Sequence, residues 1–209
     1  MATSMNHLFI TIFLMAAYTA IAETNMLQDL CVADLSNDPA KVTPEDFYFI
    51  GLANAAATTN SSMGSAVTGA NVEKIPGLNM MGVSISRIDY APGGLNPPHF
   101  HPRASEAIFV LEGRLFVGFV TTSGKLISKH LNKGDVFVFP KALLHFQQNP
   151  NTATASVIAA FDSQLPGTQV VGPALFGANP PIPDDLLAKA FQLGPQEIQK
   201  IKGKFQPKK

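Results

Sequence analysis

A single cysteine, Cys31, supplies all the thiol chemistry of the 209-residue chain. No disulfide can close within the chain, a thiolate-rich zinc site is excluded, and any bridge has to be intermolecular. Cys31 is expected either as a buried apolar thiol or as one half of a bridge where two N-termini meet across an interface. Net charge is equally scarce, because fifteen basic and fifteen acidic residues cancel. Without a field of one sign, nucleic acid and anionic membranes are poor partners; small molecules, ions and further copies of the chain remain. Repeats and low-complexity tracts are absent, and the apolar stretch from Leu8 to Ala22 falls short of the roughly 20 residues that span a bilayer.

That stretch belongs to MATSMNHLFITIFLMAAYTAIA, which has no Asp, Glu, Lys or Arg and ends in Ala20-Ile21-Ala22, a small-x-small cleavage pattern. Residues 1–22 therefore read as a secretory signal, although only His7 and the terminal amine stand where lysine or arginine is usual. The remainder is the size of one domain. It divides into an N-terminal extension over 23–66, a β domain over 67–182 and C-terminal helices over 183–209. Asn60-Ser61-Ser62 is an N-x-S/T acceptor in a run of small polar residues, which places a glycosylation site at Asn60 on a surface loop.

From about Val67 the sequence is cut into short β-rich runs: MGVSISRIDY, EAIFVLEG, RLFVGFVTTSGKLISKHL, VFVFP and ASVIAAF. Runs of this length between Gly, Asn and Asp turns predict an all-β sandwich or barrel. Thr122-Ser123-Gly124 and Asn132-Lys133-Gly134-Asp135 read as hairpin connections. Phe109, Phe116, Phe119, Phe137 and Phe139 read as core packing. After Pro183 the period changes: PDDLLAKAFQL and PQEIQKIKGKF open on proline, carry acids in the first turn and space apolar residues helically, predicting two short helices.

The chemistry lies in NPPHFHPRASEAIFVLEG, Asn96 to Gly113. On a strand, side chains two apart share a face, so His99 and His101 project together. Glu106 lies an odd number of residues from both, on the wrong face of any unbroken strand. Pro102 allows a loop over 102–105 that resets the alternation, after which Glu106, Ile108 and Val110 share an inner face. KGDVFVFPKALLHFQQN delivers His145 after another proline-marked break. Three imidazoles and one carboxylate make a nitrogen/oxygen set for one divalent ion, with two positions open in octahedral geometry. His130 sits in an alternating strand and is expected at the surface. Arg103 is expected as a steering group, a solvated side chain or an interface partner, and Asn149 as a residue that bonds a turn.

The full spacing, Gly93-x5-His99-x-His101-x4-Glu106-x6-Gly113 followed by Gly134-x5-Pro140-x-Ala142-x2-His145-x3-Asn149, resembles the two-part signature of the cupin superfamily. LQDLCVAD, VTPEDFYFIGL, RIDYAPGGLNPPHFHPRASE, KGDVFVFP, LLHFQQN and ALFGANPPIPDDLLAKAFQL are similar to segments of its plant germin and germin-like branch. The resemblance implies an all-β jelly-roll barrel with short C-terminal helices and a manganese ion held by His99, His101, Glu106 and His145. It also implies secretion to the plant cell wall, glycosylation, a defence- or stress-related role, and hexamers built as trimers of dimers. Manganese is not dictated by the ligands, since imidazole-rich sites bind copper, nickel or zinc more tightly.

Three departures bear on function. The second cysteine that germins carry has no counterpart here, which puts the N-terminal disulfide in doubt. Ala142 stands where the signature has glycine. Ser86 stands where oxalate oxidases of the family have one of two asparagines that hold substrate, while Asn96 matches the other and is the expected substrate-binding residue. Two classes of function stay open: a manganese enzyme acting on superoxide and releasing hydrogen peroxide, without substantial oxalate oxidase activity, and a non-catalytic wall-binding or receptor-like protein with a structural metal.

Overall fold

Two antiparallel sheets of five strands each carry the architecture. The computed structural model describes residues 43–205; the expected signal at 1–22 and Cys31 lie outside the described residues. The strands are β1 (Ser65–Ala70), β2 (Ser84–Tyr90), β3 (Leu95–Phe100), β4 (Glu106–Glu112), β5 (Arg114–Val120), β6 (Leu126–Asn132), β7 (Val136–Phe139), β8 (His145–Gln148), β9 (Ala155–Phe161) and β10 (Gln169–Val170). One sheet is ordered β1-β2-β9-β4-β7 and the other β10-β3-β8-β5-β6. Only the β1–β2 and β5–β6 neighbours are consecutive in sequence; elsewhere the chain crosses from sheet to sheet, as a jelly roll requires.

Period-2 alternation builds the core. Register aligns Ile88 with Val157 and Val157 with Val110 on the inner face of the first sheet. Leu115, Val117 and Leu131 are buried in the same cluster. Each fully buried side chain of this kind contributes about 1.5–3 kcal/mol. Phe139 is fully buried, and Phe119 and Phe137 pack against the cluster. Phe109 departs from expectation, since it is 44% exposed. The cause is parity: β4 turns Glu106, Ile108 and Val110 inward, so Phe109 faces out. There it lies opposite Val136, and the next row of that outer face pairs Ile85, Ala160, Ala107 and Val138. Ile85, Val136 and Val138 are all exposed, leaving an apolar outer face on this sheet.

The Thr122–Gly124 turn closes the β5–β6 hairpin as expected, with Gly124 at φ 81°. Asn132–Asp135 is a turn but not a hairpin, because β6 and β7 belong to different sheets. Its backbone is captured by β4 instead: Gly134 N–H donates to the Val110 carbonyl at 2.9 Å, and Val110 N–H to that of Asp135 at 3.0 Å. Local turn chemistry specifies the reversal, while the crossing is set by which sheet buries the next strand.

Three helices follow β10: α1 (Val171–Phe176), α2 (Asp184–Phe191) and α3 (Pro195–Lys202). The last two match the periodicity, and the first was not legible in the sequence. Leu187 of α2 and Ile198 of α3 are buried, and the Lys202 ammonium bonds the Asp184 carboxylate and the Ile182 carbonyl, tying the pair together. Phe205 folds back so that its ring lies 6.1 Å from that of Phe176.

Ala142, in the β7–β8 connection, has φ 61°, and its N–H donates to the His101 carbonyl at 3.2 Å. A left-handed alanine costs about 1–2 kcal/mol. Glycine would relieve that cost but add unfolded-chain entropy of about 0.4–1 kcal/mol. Ala142→Gly is therefore expected to stabilise the protein by about 0.5–1 kcal/mol, a rise of a few degrees in Tm. A midpoint that is unchanged or lowered would show that alanine is unstrained there.

Candidate metal centre

His99, His101, Glu106 and His145 converge inside the barrel, all buried, with their donor atoms within 4.8 Å of one another. Neither sheet holds all four. His99 on β3 lies opposite His145 on β8, while Glu106 starts β4 in the facing sheet, opposite Phe139 and Phe161. The prolines act through register. Asn96 pairs with Gln147, but across Pro97-Pro98 the pairing slips by one residue, so that His99 meets His145. Pro102–Ser105 then forms the loop that lets the chain change sheets before Glu106.

Each imidazole is fixed by its other nitrogen. Nδ1 of His99 lies 2.7 Å from the Pro97 carbonyl, Nδ1 of His145 2.8 Å from that of Leu143, and Nδ1 of His101 2.5 Å from that of Gly167. A carbonyl only accepts, so Nδ1 carries the proton in all three rings and Nε2 is left with a lone pair. Phe139 stacks on His145 at 4.5 Å, and Phe161 meets His101 edge-on at 4.9 Å. Arg103, whose role was open, braces the segment that holds His101: its Nε donates to the Leu165 carbonyl at 2.8 Å, and its guanidinium lies over Gly167.

This arrangement tests the fit of a cation. The Nε2 atoms of His101 and His145 face Glu106 Oε2 at 3.1 and 3.0 Å. With Nδ1 protonated, those contacts bring lone pairs together unless the rings are imidazolium or a cation lies between them. A metal bonded at about 2.1 Å separates adjacent octahedral ligands by about 3.0 Å, so the observed spacing suits one ion. The second carboxylate oxygen is already used: Gln147 Nε2 donates to Glu106 Oε1 at 3.0 Å. Glu106 thus offers one ligand atom. Gln147 Oε1 accepts in turn from the Tyr90 hydroxyl at 2.5 Å and from Asn96 Nδ2 at 3.1 Å.

A cavity of about 220 Å³ reaches His99, His101 and Glu106, bordered by Ser86, Asn96 and Thr168 among its polar groups and by Val67, Ile88 and Leu165 among its apolar ones. Among the described residues no lysine or arginine lines it. Asn60 is exposed at the end of a short 3-10 turn, and His130 is exposed with its ring 4.7 Å from Phe116. Asn149 donates to the Ala91 and Ala153 carbonyls, bonding turns as expected. Gln147 and Tyr90 were missed in the sequence. Gln147 shares a face with His145 two residues earlier, and that parity was the available signal; Tyr90 approaches only through the fold.

The cupin family profile matches residues 50–199. The chain is 81% identical to germin-like protein subfamily 2 member 3 of Arabidopsis thaliana over the full length of both. It is 58% identical to the rhicadhesin receptor of Pisum sativum, covering 88% of each chain. Among solved structures it is similar to a recombinant oxalate oxidase in complex with glycolate, with a TM-score of 0.80 and 39% identity over 86% of this chain and 96% of that one. The chain belongs to the cupin family, and within it to the germin-like proteins of plants.

Charge sets the pH response of the centre. Burial first, then the neighbouring His145 charge, lowers the His99 pKa to about 4. Burial would raise that of Glu106, but in the ion-free centre the contacts with His101 and His145 through Nε2 outweigh it and hold the carboxyl at about 2. Between pH 6.5 and 4 the unfolded chain protonates His99 before the folded one does, so stability rises with pH there. The metal-free protein is expected to lose up to about 3 kcal/mol from this group as pH falls through that window, and a His99→Gln variant to show a flatter profile. Denaturation midpoints between pH 7 and 4 check it, and identical slopes for the two proteins would contradict the account.

Proposed function

We propose that this chain is a secreted, manganese-binding germin-like protein of the plant cell wall that removes superoxide and releases hydrogen peroxide, without substantial oxalate oxidase activity. The carrying observation is the buried tetrad of His99, His101, Glu106 and His145, three of which, His99, His101 and Glu106, line a small cavity. Manganese is the ion the resemblance to germins implies; bound there, it would supply a one-electron redox couple and an open coordination position. The chain's own residues do the rest. Three imidazoles pinned through Nδ1 present Nε2 without rearrangement, Gln147 occupies the second oxygen of Glu106, and the apolar wall limits what enters.

The lining favours a monoanion. Among the described residues no lysine or arginine lines the cavity, whereas the Glu106 carboxylate does, and a dianion needs more directional donors than a diatomic does. Asn96 is the proposed substrate contact. Ser86, on the inner face of β2 and lining the same cavity, is shorter than asparagine and reaches less far. The exposed apolar outer face of the first sheet supports assembly of several copies, in line with a hexamer as trimer of dimers. The exposure of Asn60 supports its glycosylation. Among the described residues no helix is long and apolar enough to cross a membrane.

A second reading, a receptor-like or binding role with a structural metal, is favoured by the identity to the rhicadhesin receptor. Assays of manganese-loaded protein separate them. Superoxide removal is expected, with oxalate turnover at background. Losing one donor to a charged ligand costs about 1.5–3 kcal/mol, about ten- to a hundredfold, so Ser86→Asn is expected to raise oxalate turnover by at least tenfold. Robust oxalate oxidation by the unmodified protein would contradict this reading, and absence of both activities would favour the binding role.

A further inference from the structure

We propose that Tyr90 is a positioning residue for the metal centre: its hydroxyl fixes the orientation of the Gln147 amide, and the amide in turn fixes which oxygen of Glu106 faces the ion. The proposal rests on the metal-binding reading above and adds a residue that touches no ligand of the ion directly.

An amide can be placed either way round in a cavity of its own shape, and the two placements differ only in hydrogen bonding. Here three contacts decide it. Gln147 is fully buried, and its Oε1 takes two donors, the Tyr90 hydroxyl at 2.5 Å and Asn96 Nδ2 at 3.1 Å. Nε2 is thereby turned toward Glu106 Oε1, to which it donates at 3.0 Å. In the flipped placement, a carbonyl oxygen would face a carboxylate oxygen, and an NH2 would face the Asn96 NH2. Both are repulsive, and Gln147 and Glu106 are buried, where such a clash is costly.

The donor role of Tyr90 is secure. Its side chain is 1% exposed, and burial first, then the Glu106 and Asp89 charges, hold its hydroxyl well above the usual phenol range. It stays protonated, and with Gln147 Oε1 as neighbour it donates. Tyr90 sits on the inner face of β2 with Ser86 and Ile88, while Gln147 sits on β8 and Glu106 on β4. The chain of contacts therefore links the two sheets through the carboxylate. Glu106 is left with Oε2 alone for the ion, on the side where His101 and His145 converge.

Mn(II) binding to chelator-stripped protein tests this, read by the loss of the free-ion paramagnetic resonance signal. Tyr90→Phe preserves the ring and is expected to bind one ion per chain with affinity weakened about tenfold, the usual cost of removing an outer hydrogen-bond partner. In a Gln147→Leu background, the same change is expected to have no further effect on affinity, because there is no amide left to orient. Tyr90→Phe with affinity unchanged from wild type would overturn the proposal alone. Equal losses in both backgrounds would overturn it too, since that result marks a packing role. A wild-type chain that takes up no Mn(II) would overturn the metal reading and this proposal with it.

Discussion

A carboxylate buried to 1% exposure governs the interior of this barrel. Removing Glu106 from water carries a penalty of several kcal/mol, and it is recovered only if positive charge and hydrogen bonds meet both oxygens. The fold provides these in two ways. One oxygen is met by the Gln147 amide, and the other faces imidazole nitrogens whose lone pairs need a cation between them. Without an ion those lone pairs face the carboxylate uncompensated, in a setting where burial also opposes charge on His99. Metal and fold are coupled through this conflict, since a bound cation satisfies the carboxylate and the imidazoles together.

The jelly roll suits such a site because it brings distant strands face to face. β3 and β8 supply imidazoles from one sheet, and β4 supplies the carboxylate from the other. Proline sets the geometry at each step, by slipping the β3–β8 register and by opening the loop that follows His101. Beyond the ligands, Arg103 and the Gly167 carbonyl hold His101, while Tyr90 and Asn96 hold Gln147. The candidate ligand groups are few, and the groups that hold them in place come from three strands, β2, β3 and β8, and two loops.

The convergence of His99, His101, Glu106 and His145 was legible in the sequence because its signal is local: His-x-His needs only strand periodicity, and the proline loop before Glu106 resolves its parity. His145 followed from its own proline-marked break. The same parity argument that turned Glu106 and Ile108 inward also turns Phe109 outward, yet its apolarity alone suggested the core; the structure follows parity. Asn132–Asp135 was read correctly as a turn and wrongly as a hairpin, because no local residue records which sheet the next strand joins. Tyr90 and Gln147 were invisible for a related reason. Their contact spans 57 positions, and neither residue type announces a metal site. Helix α1, six residues directly after β10, is too short for periodicity to register.

That one divalent ion binds per chain, through these four residues, is tested most directly by elemental analysis of protein purified without chelator. Wild type is expected to carry about one transition-metal ion per chain and His145→Ala almost none, with both folded. A wild type free of metal, or a His145→Ala variant that retains the full complement, would contradict the account.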